Sequence, residues 1–135
     1  MAVRLLGELA LRVNDLPKMK AFYRDVVGLE VFNEEFEESQ TFVFLKIADA
    51  VEGHPQILGL FDRSVEVSQS ATTIDHFAFL IDLADHEAEK TRLEAHGVSV
   101  ATREFPRFQW RSLFFFDPEG NTVEFVAYDP SVSSP

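Results

Sequence analysis

Residues 8 to 13 alternate between apolar and less apolar side chains, which is typical of a β-strand with one buried face. Apolar side chains then recur at helical spacing until Gly28, which is expected to end the helix. Asn14 or Asp15 can cap this helix, and Pro17 suits its first turn. The pattern predicts a strand followed by a helix.

Three further strand-like segments follow, bounded by an acidic turn at residues 34–39 and a loop around Gly53. The predicted strands are 29–33, 41–47 and 56–62. Together with the first strand and the helix, they form a βαβββ unit.

The same pattern returns from residue 76 onwards. Residues 76–81 alternate as residues 8–13 do, and a helix from about residue 85 to residue 96 ends at Gly97. The strands predicted after it are 98–102, 112–116 and 121–128, the last two joined by a turn at 117–120. The chain therefore contains the unit twice.

Two units with one hydrophobic pattern predict an α+β fold of two βαβββ modules related by a pseudo-twofold repeat. The 135 residues, 46% of them hydrophobic, suit a single domain over residues 1–135. Module one is expected at 4–63, module two at 72–129, and a loose tail at 130–135.

The formal net charge of −11 argues against a nucleic acid or membrane partner, because phosphate backbones and anionic lipids repel an acidic surface. No apolar run has the length of a signal peptide or a membrane span, so we expect a cytoplasmic protein. The chain has no cysteine, so any metal must be bound through nitrogen and oxygen.

Three residues at repeat-equivalent positions can ligate a metal ion. Glu8 and His76 each open the first strand of their unit, and alignment of the last strands sets Gly59 against Glu124. If the first and last strands are neighbours, His76 and Glu124 lie within reach of one ion. One imidazole and two carboxylates suit a divalent Zn, Mn, Fe, Co or Ni ion and leave positions open for a substrate.

Each of these residues also has a simpler interpretation. A single histidine on a strand is commonly a hydrogen-bonded core or rim residue, and a single glutamate commonly faces water. The occurrence of all three at repeat-equivalent positions favours a metal site, because burying two carboxylates together without a cation is costly in free energy. Both interpretations stay open at this point.

The segment 105–111 lacks clean alternation and contains Pro106, so we interpret it as a loop at the rim of a pocket. Trp110 is a candidate for stacking on a ligand, with Phe108 and Arg111 beside it.

Five other polar side chains are expected to be structural or solvated. Asp49, Glu52 and His54 fall in one predicted loop. His86 is predicted on a helix surface, like His96 near the helix end.

The chain resembles the vicinal oxygen chelate superfamily of glyoxalases, fosfomycin-resistance transferases, extradiol dioxygenases and bleomycin-binding proteins. Nearly the whole length carries the resemblance, mainly in residues 8–31, in His76-Phe-Ala-Phe, and in Phe116-Asp-Pro-Glu-Gly-Asn-Thr-Val-Glu124-Phe. It implies a fold of paired βαβββ modules and a homodimer.

The resemblance also implies metal-ligand positions at Glu8, Gly59, His76 and Glu124. Gly59 departs from the pattern, since it has no side chain, and Glu8 replaces the histidine expected in the fosfomycin transferases. Residues 105–112, shortly before the turn at 117–120, contain no histidine, whereas an extradiol dioxygenase would have one there.

The implied function is that of a metal-dependent lyase, isomerase or transferase acting on a small molecule, in which Glu124 also serves as a base. The alternative is a metal-free small-molecule binding protein of the bleomycin-resistance type.

Overall fold

The computed structural model describes residues 2–32, 41–51, 53–63 and 72–133. The chain separates into two compact units, Met1–Val67 and Ser68–Pro135, each with one four-stranded sheet. The elements of the first unit are β1 (Glu8–Val13), α1 (Leu16–Ala21), a π-helical segment (Phe22–Val27), β2 (Glu30–Val31), β3 (Phe42–Val51) and β4 (His54–Asp62). The acidic turn predicted at residues 34–39 lies outside the described residues.

The second unit repeats this order. Its elements are β5 (Phe77–Leu80), a 3₁₀ turn (Leu83–Asp85), α2 (His86–Ala95), β6 (Ala101–Phe105), β7 (Trp110–Phe116) and β8 (Thr122–Tyr128). The strand orders are β1-β4-β3-β2 and β5-β8-β7-β6, so the first and last strands of each unit are neighbours. They run parallel, and the other pairs are antiparallel. The predicted α+β fold of two βαβββ modules is confirmed.

The first helix begins and ends as its sequence predicts. The Asp15 side chain accepts a hydrogen bond from the Lys18 backbone N–H at 3.1 Å, and Gly28 ends the helical segment with a φ of 95°. Met19 and Tyr23 are fully buried. Among the residues described, no helix is long and apolar enough to cross a membrane.

The strands β3 and β4 extend further than predicted. They continue through Val51 and His54, so the expected loop around Gly53 is only a turn, with a φ of 88° at this glycine. Asp49 is a strand residue whose carboxylate accepts a hydrogen bond from Lys46 at 3.1 Å. The predicted polar loop is therefore wrong for Asp49 and His54, and Glu52 lies outside the described residues.

The segment predicted as a pocket-rim loop is a β-hairpin instead. Only residues 106–109 form the turn, and β6 begins three residues later than predicted. Two cross-strand contacts hold the hairpin together to its end: Arg111 pairs with Glu104 at 2.8 Å, and the rings of Phe105 and Trp110 meet edge to face. These contacts outweigh the local influence of Pro106.

The residues directly after β8 are packed, although their composition predicts a loose tail. Asp129 accepts hydrogen bonds from the backbone N–H of Ser131 at 2.9 Å and from its hydroxyl at 2.6 Å. Val132 is buried. Residues 134 and 135 lie outside the described residues.

The prediction that His86 lies on a helix surface is wrong, because only 3% of this residue is exposed. It begins α2 on the side that faces the sheet, one of the two buried residues of the helix together with Leu93. Neither ring nitrogen has a hydrogen-bond partner among the described residues, and the Glu87 carboxylate is 3.8 Å away. His96, in contrast, is exposed as predicted.

We expect His86→Leu to raise the free energy of unfolding by about 1 kcal/mol, because it removes two buried polar atoms that lack partners. Thermal and urea unfolding measure the change, with His96→Leu as the exposed control. A destabilised His86→Leu variant would show that the imidazole forms a polar contact in solution.

Candidate functional site

His76 and Glu124 meet on one face of the second sheet. His76 directly precedes β5, which is the parallel neighbour of β8, with Phe77 opposite Val123 and Ala78 opposite Glu124. The Nε2 atom of His76 lies 3.2 Å from Oε1 of Glu124, as the repeat predicted for neighbouring strands. The glutamate side chain is only 7% exposed, whereas that of His76 is 40% exposed. A buried carboxylate thus faces an accessible imidazole.

Ser112 fixes the second oxygen of Glu124. Its hydroxyl, which is fully buried, donates a hydrogen bond of 2.6 Å to Oε2. Oε1 remains directed at His76. Sequence reasoning missed Ser112; the available signal was a small polar residue between Trp110 and Phe114 on an otherwise aromatic strand face.

Asp75 lies on the other side of the imidazole, and the sequence reasoning missed it as well. Its Oδ2 is 2.7 Å from Nδ1 of His76. A neutral imidazole carries one N–H and donates only one hydrogen bond, yet here each ring nitrogen faces a carboxylate. One of the two contacts therefore needs a further proton or a cation between the facing atoms.

The donor pair has the geometry of two adjacent metal ligands. Nitrogen and oxygen donors bound to one ion at 90° to 109° lie about 3.0 to 3.4 Å apart, and the observed separation is 3.2 Å. A carboxylate on the far nitrogen is the usual partner of a metal-ligating histidine. Within residues 2–32, 41–51, 53–63 and 72–133, no three His, Asp or Glu side chains are grouped so as to hold a metal ion.

Glu8 lies on β1 of the first unit, next to Gly59. In the parallel register, Glu8 is opposite Ile57 and Ala10 is opposite Gly59. A Cβ atom at Gly59 would meet Oε2 of Glu8 at 2.6 Å and the ring of Phe61 at 2.9 Å. The missing side chain thus leaves room that the Glu8 carboxylate and an aromatic ring occupy.

The hairpin brings together two of the three predicted substrate-binding residues. The rings of Phe108 and Trp110 are stacked with centroids 4.8 Å apart, and both residues are about half exposed. Arg111 points to the opposite face of β7, where it pairs with Glu104 and with Asp129 at 2.9 Å. The structure thus separates Arg111 from the two rings.

Arg111 and Asp129 form an ion pair that changes both pKa values. Hydrogen bonds from the Ser131 hydroxyl and from Arg111 hold the pKa of Asp129 below its ordinary value. The hydrogen bond to Asp129 raises the pKa of Arg111. The pair links β7 to the residue directly after β8.

A separate surface cavity of about 580 Å³ lies in the first unit, at the start of α1. Its lining residues are Asn14, Asp15, Leu16, Pro17, Lys20, Phe42, Val43 and Asp62. It contains none of the predicted site residues.

Comparison with known proteins relates the chain to glyoxalase-type proteins. A family model described as the glyoxalase/bleomycin resistance protein/dioxygenase superfamily matches residues 5–125. The lactoylglutathione lyase of Haemophilus influenzae is 29% identical over 120 residues, covering 86% of this chain and 87% of that protein.

Solved structures share the fold over almost the whole chain. The crystal structure of lactoylglutathione lyase from Agrobacterium tumefaciens is 30% identical, with a TM-score of 0.70 over 94% of this chain and 96% of that one. A fosfomycin resistance protein of Listeria monocytogenes, FosX, solved with Mn(II) and dihydroxypropylphosphonic acid, is 23% identical. It covers 93% of this chain and 90% of its own, with a TM-score of 0.69, and is similar in fold alone.

We expect Asp129→Asn to lower the melting temperature at neutral pH, because it removes the charged partner of Arg111. The folded-state pKa of Asp129 is depressed, so the stability it contributes is present above the ordinary carboxyl pKa of about 3.9 and is lost as the pH falls further. The difference between variant and parent should therefore shrink toward the acid limit.

Melting curves between neutral and strongly acidic pH measure this difference. Asp82→Asn, which changes an exposed aspartate, is the matched control and should show little difference at any pH. Equal melting temperatures of Asp129→Asn and the parent at neutral pH would contradict the structural role of the pair.

Proposed function

Because the chain belongs to the glyoxalase/bleomycin resistance protein/dioxygenase superfamily, we propose that it is a metal-dependent enzyme of the lyase, isomerase or transferase kind, acting on a small molecule. The observation that carries the proposal is the approach of His76 Nε2 to Glu124 Oε1 at 3.2 Å. His76 and Glu124 are the proposed ligands in the second unit.

The protonation pattern around His76 supports a cation at this position. If the Nδ1 proton is donated to Asp75, the Nε2 lone pair points toward Oε1 of Glu124. Two electron-rich atoms in such contact repel each other unless a positive charge lies between them. A divalent ion supplies that charge and preserves the hydrogen bond to Asp75.

The residues around the pair each have a proposed role. Asp75 holds the tautomer and the orientation of the imidazole, and Ser112 holds the carboxylate through Oε2. Glu124 is also the proposed base that takes a proton from the substrate, and the low exposure of its side chain limits competition from water. A bound metal would act as a Lewis acid that stabilises negative charge developing on a substrate oxygen.

Glu8 is proposed as a third ligand. Its support is its position, since it opens the first strand of its unit as His76 does. Gly59 offers no side chain at the fourth repeat-equivalent position, so we propose a set of at most three protein side chains. Zn, Mn, Fe, Ni and Co are all compatible with this set of nitrogen and oxygen donors, and Mn(II) is present in the FosX structure.

The alternative is a metal-free small-molecule binding protein of the bleomycin-resistance type. One observation favours it: Phe108 and Trp110 are exposed enough to contact a ligand. The predicted homodimer and cytoplasmic location remain predictions.

We expect Mn²⁺, Ni²⁺ or Zn²⁺ to raise the melting temperature of chelator-treated protein, because an ion that binds only the folded state stabilises it. His76→Ala and Glu124→Gln should remove the effect, while the exposed control His96→Ala should retain it. Calorimetric titration gives the affinities. No stabilisation of the parent protein by any of these ions would refute metal dependence and favour the alternative.

Ser112→Ala should weaken metal binding by about 10-fold to 100-fold, because it frees Oε2 and lets the Glu124 side chain turn away from His76. Ser112→Thr keeps a hydroxyl and should restore most of the affinity. An unchanged affinity of Ser112→Ala, measured in the same titration, would mean that Ser112 only fills space.

A further inference from the structure

An aromatic row crosses the sheet face that carries His76 and Glu124. Ring contacts join its members in sequence, with centroids between 4.8 and 6.4 Å apart. From the site outward, the row consists of His76, Phe114, Phe105, Trp110 and Phe108.

Ser112 makes this row possible. Trp110, Ser112 and Phe114 follow one another on the same face of β7, and Phe105 is opposite Trp110. Because Ser112 is small, the ring of Phe105 can contact both Trp110 and Phe114. The hydroxyl that holds Glu124 therefore lies among the rings.

Arg103 adds a positive charge to the row. It is directly opposite Ser112 in the sheet, and its guanidinium carbon lies 5.0 Å above the ring of Phe105. Among the described residues its guanidinium forms no ion pair, although the chain has a net charge of −11. Arg111, on the opposite face, contacts two carboxylates. The charge of Arg103 is thus available to a ligand.

The distances limit the size of that ligand. Arg103 lies two strand spacings from Val126, and Glu124 is two residues further along β8, so the backbone positions of Arg103 and Glu124 are about 12 Å apart. The long arginine side chain shortens this span. A single ring with a short anionic side chain fits between them.

We infer that Arg103, Phe105, Phe114 and Trp110 form the substrate subsite of this unit, and that its ligand is a small aromatic compound bearing a carboxylate or phosphate. This inference rests on the proposed function, because it puts the substrate on the face of His76 and Glu124. The guanidinium binds the oxyanion, and the rings contact the aromatic group. The reacting end of the compound is directed at Glu124.

Trp110 is the only tryptophan in the sequence, so its fluorescence reports on this subsite directly. We would titrate chelator-treated protein with 3-phenylpropanoate, phenyl phosphate, the neutral 3-phenylpropanamide and acetate, and repeat each titration by calorimetry. Both aromatic anions should bind about tenfold more tightly than the amide or acetate. Tighter binding of 3-phenylpropanoate or of phenyl phosphate shows whether the subsite prefers a carboxylate or a phosphate.

Arg103→Gln should weaken the binding of both aromatic anions about tenfold and leave the binding of the amide unchanged. Arg103→Lys should keep part of the affinity for the anions. Arg107→Gln is the matched control, because Arg107 also lies above a phenylalanine ring, that of Phe108, at 5.7 Å. It should alter binding less than twofold. Equal binding of acid and amide, equal losses in the Arg103 and Arg107 variants, or no binding at millimolar concentration would overturn the subsite.

These results are independent of those for the metal. Binding that depends on Arg103 in a protein indifferent to metal ions would support the subsite and refute the proposed enzyme. Metal binding that depends on His76, with no effect of Arg103→Gln on the binding of the aromatic anions, would support the proposed enzyme and refute the subsite.

Discussion

The parallel pairing of β5 with β8 is the constraint on which the site depends. In this parallel register Phe77, the first residue of β5, is opposite Val123, and this pairing holds His76, the residue before β5, near Glu124. Between β5 and β8 the chain forms α2 and two further strands, β6 and β7. Contacts far apart in the sequence thus bring the two side chains together.

The burial of Glu124 then determines what its neighbours do. A carboxylate that is 7% exposed loses most of its hydration, and its oxygens need other partners. Ser112 satisfies one oxygen with a neutral donor, and the other oxygen requires positive charge. The low exposure of Glu124 also makes its interaction with a cation strong.

The sequence carried enough information for the fold and for the pair at its centre. Alternation and the repeat located both strands and the positions of His76 and Glu124, because period and spacing are local properties. Ser112 and Arg103 were missed because their meaning comes from strand register, which brings β6, β7 and β8 side by side. The hairpin at 105–111 was misread because Pro106 dominated the local pattern, whereas cross-strand contacts decided the structure.

Equivalent positions show how the two units differ. Phe44 is opposite Gly59 as Phe114 is opposite Glu124, so the positions that correspond to Ser112 and Glu124 hold Phe42 and Gly59. Phe42 has a ring where Ser112 has a hydroxyl, so the donor that a buried carboxylate at position 59 would need is missing. The rings of Phe44 and Phe61 occupy the space of such a side chain. Restoring a glutamate at position 59 alone would therefore recreate a ligand without its support.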